Sequence, residues 1–490
     1  MPIPKKLLFL PLILLSFLLR LWSYQQTPFA NGWDSYFYLI QIKALVEEGQ
    51  MHSADLSLIY PLMTAIHFLV GDYVFTFKVT AALITSCFVG AAGFLVYKFS
   101  QNGLLALLAV AFAIASPHLT YFGGQYPKNL LGLVFFLLFV SQIPQFFGNG
   151  VGKRQWIICL SLLVVNVFGH RMTAVLSVSL LCLSVVLNRI SLKWLCYLLL
   201  AFGGLLVLGI VLPGILSVAD FDRFNGFLTA TPQFAPYSFW QSFGNERISD
   251  FWLMEIIASI IFCCFPVVWL IKHPKQKQAK PMMSWFILCS LLIFPFFRWS
   301  LDGIGYRFFL VFVLLAPFGF WLFLDQVSKL NRKLLLSTIG GLVLISFWTW
   351  KSYQSKQHDP PYPLYQKLTA RTFEYIRKSE TELVIAHKSL AELFTFSSGI
   401  DALPWIPEYQ IEKERLWRIA TDLNRNQFEF YLPESQLFPL SANYYLVRED
   451  QWQKFLQALQ ADGETETLTH LNSWKNPHQI RPYYLLKNKK

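Results

Sequence analysis

The chain has 490 residues and a mass of 56.7 kDa, length enough for two or three ordinary soluble domains. It is 54% hydrophobic, 17% aromatic and only 14% charged, with a mean hydropathy of +0.43. That excludes an intrinsically disordered chain and falls below the roughly 25% charged residues of soluble domains. The net charge of +12 would suit phosphate-rich partners if it were clustered, but residues 1–350 carry 23 basic and 12 acidic side chains and residues 351–490 carry 18 and 17. The excess lies in short loops between apolar runs, so nucleic acid is excluded as the partner and a membrane is implied.

Eleven runs come near the roughly 20 apolar residues of a spanning helix: about 7–23, 73–97, 103–117, 129–147, 155–169, 172–188, 194–216, 251–271, 282–299, 306–324 and 334–350. The pair 155–169 and 172–188 also reads as one broken helix. The run 57–70 is short and carries Pro61 and His67, and reads as interfacial or re-entrant. With the N-terminus in the cytoplasm, alternate connections from Lys5–Lys6 to Lys329, Arg332 and Lys333 collect 14 of the 23 basic residues. This agrees with the enrichment of Lys and Arg in cytoplasmic loops. Among the acids of this part only Asp325 shares that side. An odd number of spans puts the C-terminal part outside. No small-residue cleavage site follows the first run, which therefore reads as an uncleaved span. All seven cysteines fall in apolar runs, where a thiol acts as a small apolar group, and no CxxC metal motif occurs.

The first outer loop, 24–72, contains NGWDSYFYLIQIKALVEEGQ. Tyr36, Leu39, Ile42, Lys43, Leu45 and Val46 form a helical stripe that ends at Gly49, an amphipathic helix expected to lie on the membrane. Asp34 stands at its head. It reads either as an N-cap or as a carboxylate at the membrane boundary that accepts a proton or binds a cation. Asp55 precedes the next apolar run and reads as a cap, a turn residue or a second site carboxylate.

The second outer loop, SPHLTYFGGQYPKNL (116–130), joins a close-approach Gly123–Gly124 pair to a turn at Pro127. Lys128 lies against the charge trend, so it implies either an anionic partner or snorkelling to headgroups. His118 reads as interfacial, with a cavity role as the alternative. His170–Arg171 interrupts two apolar runs, and an Arg there faces a polar cavity or the headgroup layer. The loop 217–250 is rich in Phe, Tyr and Trp and reads as an interfacial belt or a cover for a lipid groove. In RWSLDGIGYRF, Arg298 and Arg307 can clasp a phosphate with forked hydrogen bonds, or Asp302 can pair with either.

A Pro-rich joint, HDPPYP at 358–363, marks a linker over 351–365. Beyond it, residues 366–490 alternate helix and strand: helices over 366–379, 389–396, 408–424 and 450–460, strands over 382–387, 443–448 and 482–487. No P-loop, GxGxxG, GxSxG or HExxH motif occurs there. The fold class is thus a polytopic α-helical membrane protein, residues 1–350, with a small C-terminal extracytoplasmic α/β domain.

The stretch WDSYFYL–x7–EEG followed by D-x4-YPLMTAI resembles the first outer loop of oligosaccharyltransferase catalytic subunits and protein O-mannosyltransferases. With the order of spans, loop and outer C-terminal domain, the chain resembles the GT-C superfamily of membrane glycosyltransferases. That resemblance implies an enzyme that moves a sugar from a polyprenyl-phosphate-type lipid donor to an acceptor on the outer face. It implies that Asp34 is a metal ligand or acceptor-activating base, with Asp55 as a second catalytic candidate and Mg or Mn as the metal. Lys128, Arg171, Arg298 and Arg307 are candidates for the donor phosphate; His118, His170 and Asp302 are further cavity candidates. The second outer loop lacks the acidic pair of oligosaccharyltransferases, and 351–490 lacks their WWD-type motif, which leaves a protein, lipid or polysaccharide acceptor open. Competing readings are a transporter or flippase, a polysaccharide polymerase for lipid-linked sugars, and a membrane scaffold.

Overall fold

The computed structural model describes residues 9–188 (except 33, 53, 54, 56 and 144–152), 250–272, 279–292, 304–328, 340, 341, 344, 362–378, 384–400, 402–405, 430, 431, 438, 439, 443–461, 463, 465–481 and 483–487. The expected span 194–216, most of 334–350, the aromatic loop up to 249, Arg298, Asp302 and the expected helix 408–424 lie outside these residues. The chain divides into two compact units. The first comprises residues 1–26, 54–70 and 78–357; the second comprises 27–53, 71–77 and 358–490.

The first unit is helical. Its helices are α1 (Leu10–Tyr24), α3 (Ile59–Val70), most of α4 (Tyr73–Ser100), α5 (Gly103–Ala115), α6 (Pro117–Gln125), α7 (Pro127–Gln142), α8 (Lys153–Gly169), α9 (Arg171–Asn188), α10 (Asp250–Lys272), α11 (Ala279–Leu292) and α12 (Ile304–Ser328). Helix α2 (Ser35–Glu47) belongs to the second unit. Among the described residues, α4 alone is long and apolar enough to cross a membrane by itself, and α5 with α6 passes as a pair bent by 61°. Shorter apolar helices stand at most of the other expected spans.

Helix α1 is amphipathic in the reverse of the soluble sense. Ser16, Arg20, Ser23 and Tyr24 are buried, while Leu10, Leu14, Leu18 and Trp22, four residues apart, are about half exposed. A period of four keeps these apolar side chains on one helix face, and such a face suits hydrocarbon rather than water. Phe68 and Leu69 at the end of α3 are even more exposed. Helices α10, α11 and α12 interlock: Phe262 stacks on Phe320 at 4.2 Å, and Ser259 and Trp285 donate to the Val313 and Leu315 carbonyls. Pro266 lies inside α10 and Pro317 inside α12.

The pair α8–α9 turns back on itself at His170. Asn166 and Ser177, eleven residues apart, are joined by a 2.7 Å hydrogen bond, and the Thr173 hydroxyl donates to Asn166 Oδ1 at 2.7 Å. Buried amides and hydroxyls must find partners where water is excluded, and here they satisfy one another across the turn.

The sequence led us to expect an outer loop at 116–130; residues 117–125 instead form a buried helix. Ser116 Oγ accepts from Leu119 N at 3.1 Å, an N-cap followed by Pro117 in the first turn. Pro127 opens α7 in the same way. The reason the sequence misled is that Ser-Pro, Gly-Gly and Tyr-Pro also mark loops. The close approach foreseen at Gly123 is present: a Cβ there would lie 2.2 Å from Thr85 Oγ1 and 2.8 Å from Tyr24 Oη.

The second unit holds α2, α13 (Tyr362–Lys367, continuing through a π turn at Leu368–Phe373 into Glu374–Arg377), β1 (Val384–His387), α14 (Lys388–Ser398), β2 (Ala402–Trp405), β3 (Phe430–Tyr431), β4 (Phe438–Pro439), β5 (Tyr444–Arg448), α15 (Glu449–Ala461), α16 (Thr465–Asn472), β6 (Lys475–Ile480) and β7 (Tyr483–Lys487). Five strands form one sheet in the order β2-β1-β5-β7-β6. Strands β2, β1 and β5 are parallel; β7 is antiparallel to β5 and to β6. Ile385, Tyr445, Val447 and Leu486 of the sheet pack with Trp452, Phe455, Leu459, Leu471 and Trp474 in one core.

Candidate active site

Two ends of the helical unit differ in chemistry. At one end Lys98, in the last turn of α4, donates to the Ser141 carbonyl and to Gln142 Oε1, and Gln155 in the first turn of α8 reaches the Gln142 carbonyl. Lys98, Lys153 and Arg154 therefore gather where α4 and α7 end and α8 begins. At the opposite end α7 begins and α8 finishes. There Ser57 Oγ and Leu58 N donate to the Gly169 and Phe168 carbonyls, which ties residues 55–58 to the α8–α9 turn.

This second end collects four of the expected site residues. Lys128 Nζ lies 2.5 Å from Asp55 Oδ2, with the two side chains 19% and 17% exposed. Tyr60 donates to the same oxygen at 3.1 Å. Asp55 is thus neither a helix cap nor a turn residue; it is the internal counter-ion of Lys128. His170 stands at the α8–α9 turn, and Arg171 is the first residue of α9 and half-buried. Beside Lys128, Asn129 is buried and its Nδ2 has no hydrogen-bond partner among the described residues.

Asp34 belongs to the other unit. It occupies the N-cap position of α2, yet its carboxylate makes no capping hydrogen bond. The turn before it is set by Gly32, at φ +93°, a backbone that side-chain-bearing residues rarely adopt. The Ser35 hydroxyl closes that turn by donating to the Gly32 carbonyl at 2.9 Å. Asn31 is 4% exposed, and neither polar atom of its amide has a partner among the described residues. The sequence led us to expect α2 to lie on the membrane. Instead Tyr36, Leu39 and Ile42 are buried, and Tyr36 meets Phe396 of α14 with ring centroids 5.6 Å apart. The apolar stripe was read correctly, but an aromatic protein surface covers it.

His118 is not interfacial. It is 1% exposed, and its Nε2 lies 3.1 Å from the Leu310 carbonyl in α12, where it fastens α6 to the bundle. Arg307 lies in the first turn of α12, where the structure describes the backbone alone.

Sequence reasoning passed over Arg20. Its guanidinium is wholly buried and donates from Nη2 to the Ala113 and Ser116 carbonyls at 3.1 and 3.2 Å. Both carbonyls lie where α5 bends into α6 and also accept from Ser116 N and Thr120, and a cation suits the C-terminal end of a helix. A lone Arg in an apolar run was the available signal. Asn31 and Asn129 carry no comparable sequence signal, because their burial is a tertiary fact.

Among the described residues no three His, Cys, Asp or Glu side chains converge as a metal site. A single carboxylate such as Asp34 does not by itself make the oxygen cage of Mg or Mn.

No protein-family model and no characterised protein sequence matches the chain. Solved structures do match in fold. ArnT from Cupriavidus metallidurans bound to undecaprenyl phosphate superposes with a TM-score of 0.58 at 11% identity, over 98% of this chain and 97% of that one. The apo state of the same protein gives 0.58 at 10% identity, over 97% of both chains. An oligosaccharyltransferase of Archaeoglobus fulgidus, in complex with Zn and sulfate, gives 0.47 at 11% identity over 97% of this chain and 73% of that one. The chain shares the fold of the ArnT structures, and at 10–11% identity the likeness is one of fold alone.

Proposed function

We propose that the chain is an integral membrane glycosyltransferase of the GT-C type. It moves a sugar from a polyprenyl-phosphate-type lipid donor to an acceptor on the outer face, with eleven spans, the N-terminus in the cytoplasm and the C-terminal α/β region outside. The fold supports this reading, since the ArnT structure of the same fold holds undecaprenyl phosphate. The observation that carries it is Asp34: a carboxylate at the head of α2 that is not spent on capping the helix.

In this reading the acceptor hydroxyl gives its proton to Asp34 as its oxygen attacks the anomeric carbon. The bond from that carbon to the phosphate oxygen breaks, and the electron pair leaves with the polyprenyl phosphate. One base acts on the acceptor and cations meet the departing charge, so the sugar inverts. Lys128, Arg171, Arg298 and Arg307 are the proposed phosphate partners. Lys128 has three ammonium N–H donors, so it can meet phosphate oxygens beside or in place of Asp55, which also accepts from Tyr60. Asn31, whose buried amide has no partner among the described residues, offers a hydroxyl-bearing substrate a donor and an acceptor.

The test is a donor titration in proteoliposomes with polyprenyl-phosphate-linked sugars, following release of free polyprenyl phosphate. The reading requires release that depends on acceptor, and a several-fold higher donor requirement for Arg298→Ala or Arg307→Ala. An unchanged donor dependence removes the arginine assignment. Movement of intact donor across the bilayer without cleavage makes the chain a flippase instead.

A further inference from the structure

Phe396 gathers three partners from the segments that share its unit. Tyr36 lies 5.6 Å away between ring centroids, Tyr73 lies edge-on at 6.2 Å, and Lys43 Nζ stands 5.8 Å from the ring centroid. Tyr36 and Lys43 are on α2, and Tyr73 opens α4. Two further contacts hold the same segments together: Tyr73 donates to Glu47 Oε1 at 3.1 Å, and Tyr38 meets Phe77 at 6.1 Å.

Helix α2 needs such support. It has thirteen residues, near the length at which an isolated helix is marginal in water. Its N-cap residue makes no side-chain cap, so the first-turn N–H groups lose the usual stabilisation. The start of α2 must then be anchored by something other than Asp34, and Tyr36, two residues on, is where the anchor falls. Its hydroxyl accepts from Ala30 N at 3.3 Å, and its ring is the one that meets Phe396.

We propose that Phe396 is a positioning residue for Asp34. The C-terminal α/β region, residues 366–490, in which no catalytic motif is found, serves the reaction by clasping the first-loop helix of its own unit through this ring in place of an N-cap. Tyr36 is the contact through which Phe396 acts, and Lys43 and Tyr73 keep the ring over the helix. The inference rests on the reading of Asp34 as the base.

The experiment combines kinetics with hydrogen exchange on Phe396→Ala, Phe396→Tyr and Asp34→Asn in the full-length protein. Phe396→Ala is expected to lower kcat at least 10-fold with the donor KM within 2-fold of wild type, and to raise amide exchange over 35–47. Phe396→Tyr, which keeps the ring, should restore both to within about 3-fold. If Phe396→Ala does not fold, Phe396→Leu keeps apolar volume without the ring and should show the same pattern. Exchange over 35–47 that stays at the wild-type level in the ringless variant overturns the clasp, as does increased exchange with kcat kept within 2-fold. A fully active Asp34→Asn overturns the reading of the base instead, while the exchange result still reports on the clasp.

Discussion

At the scale of single residues, the pair Asp55–Lys128 makes the sharpest energetic statement. Exposed ion pairs contribute about 0–1 kcal/mol, and breaking a fully buried pair costs about 3–5 kcal/mol. With side chains 19% and 17% exposed, this pair falls between. A double-mutant cycle with Lys128→Met and Asp55→Asn should give a coupling of about 1–3 kcal/mol by denaturation in detergent; coupling near zero would remove Asp55 as the resting partner. The same residues show what a sequence withholds. Asp34 stood out as a candidate because it opens an amphipathic stretch, and Lys128 because it breaks the charge trend. Their surroundings were not: Asp55 is 73 residues from Lys128, and no local pattern announces that pairing.

At the scale of elements, the bend between α5 and α6 depends on Arg20 from α1 and on the missing side chain at Gly123. Hydrogen bonds from a charged donor contribute about 1.5–3 kcal/mol each, and Arg20 makes two across the bend. Arg20→Ala should cost about 3 kcal/mol or more, and Arg20→Lys should recover part of it. A thermal melt showing a loss below about 1 kcal/mol would contradict the role assigned to Arg20. Gly123→Ala must displace Thr85 or the Tyr24 ring. It should destabilise by about 1–3 kcal/mol, and Thr85→Ser in the same chain leaves that clash in place, since Oγ is the atom met. Helix α6 itself escaped sequence reading because its caps are built from the residues that also build turns. Strands β2 and β6 escaped for a related reason, since ALPW and KNPHQI carry Pro and polar residues that strands usually avoid. Strands β1, β5 and β7 stand where apolar, β-branched or aromatic runs placed them.

At the scale of the whole molecule, the apolar runs and the charge between them carried most of the helical architecture. Periodicity alone could not say which face of α1 is buried; Ser16, Arg20 and Ser23 turn inward while Leu10, Leu14 and Leu18 are exposed. The proposed topology predicts that Lys275→Cys and Gln410→Cys label from opposite sides of sealed vesicles with an impermeant thiol reagent. Labelling of both from one side contradicts the eleven-span arrangement. The most direct test of the central proposal is single-turnover sugar transfer from a polyprenyl-phosphate-linked donor by wild type and by Asp34→Asn, with donor binding measured alongside. The account predicts undiminished donor binding and a rate lowered by about 10²–10⁴-fold in Asp34→Asn, the range of general-base catalysis. Transfer at the wild-type rate by a folded, donor-binding Asp34→Asn protein would contradict it.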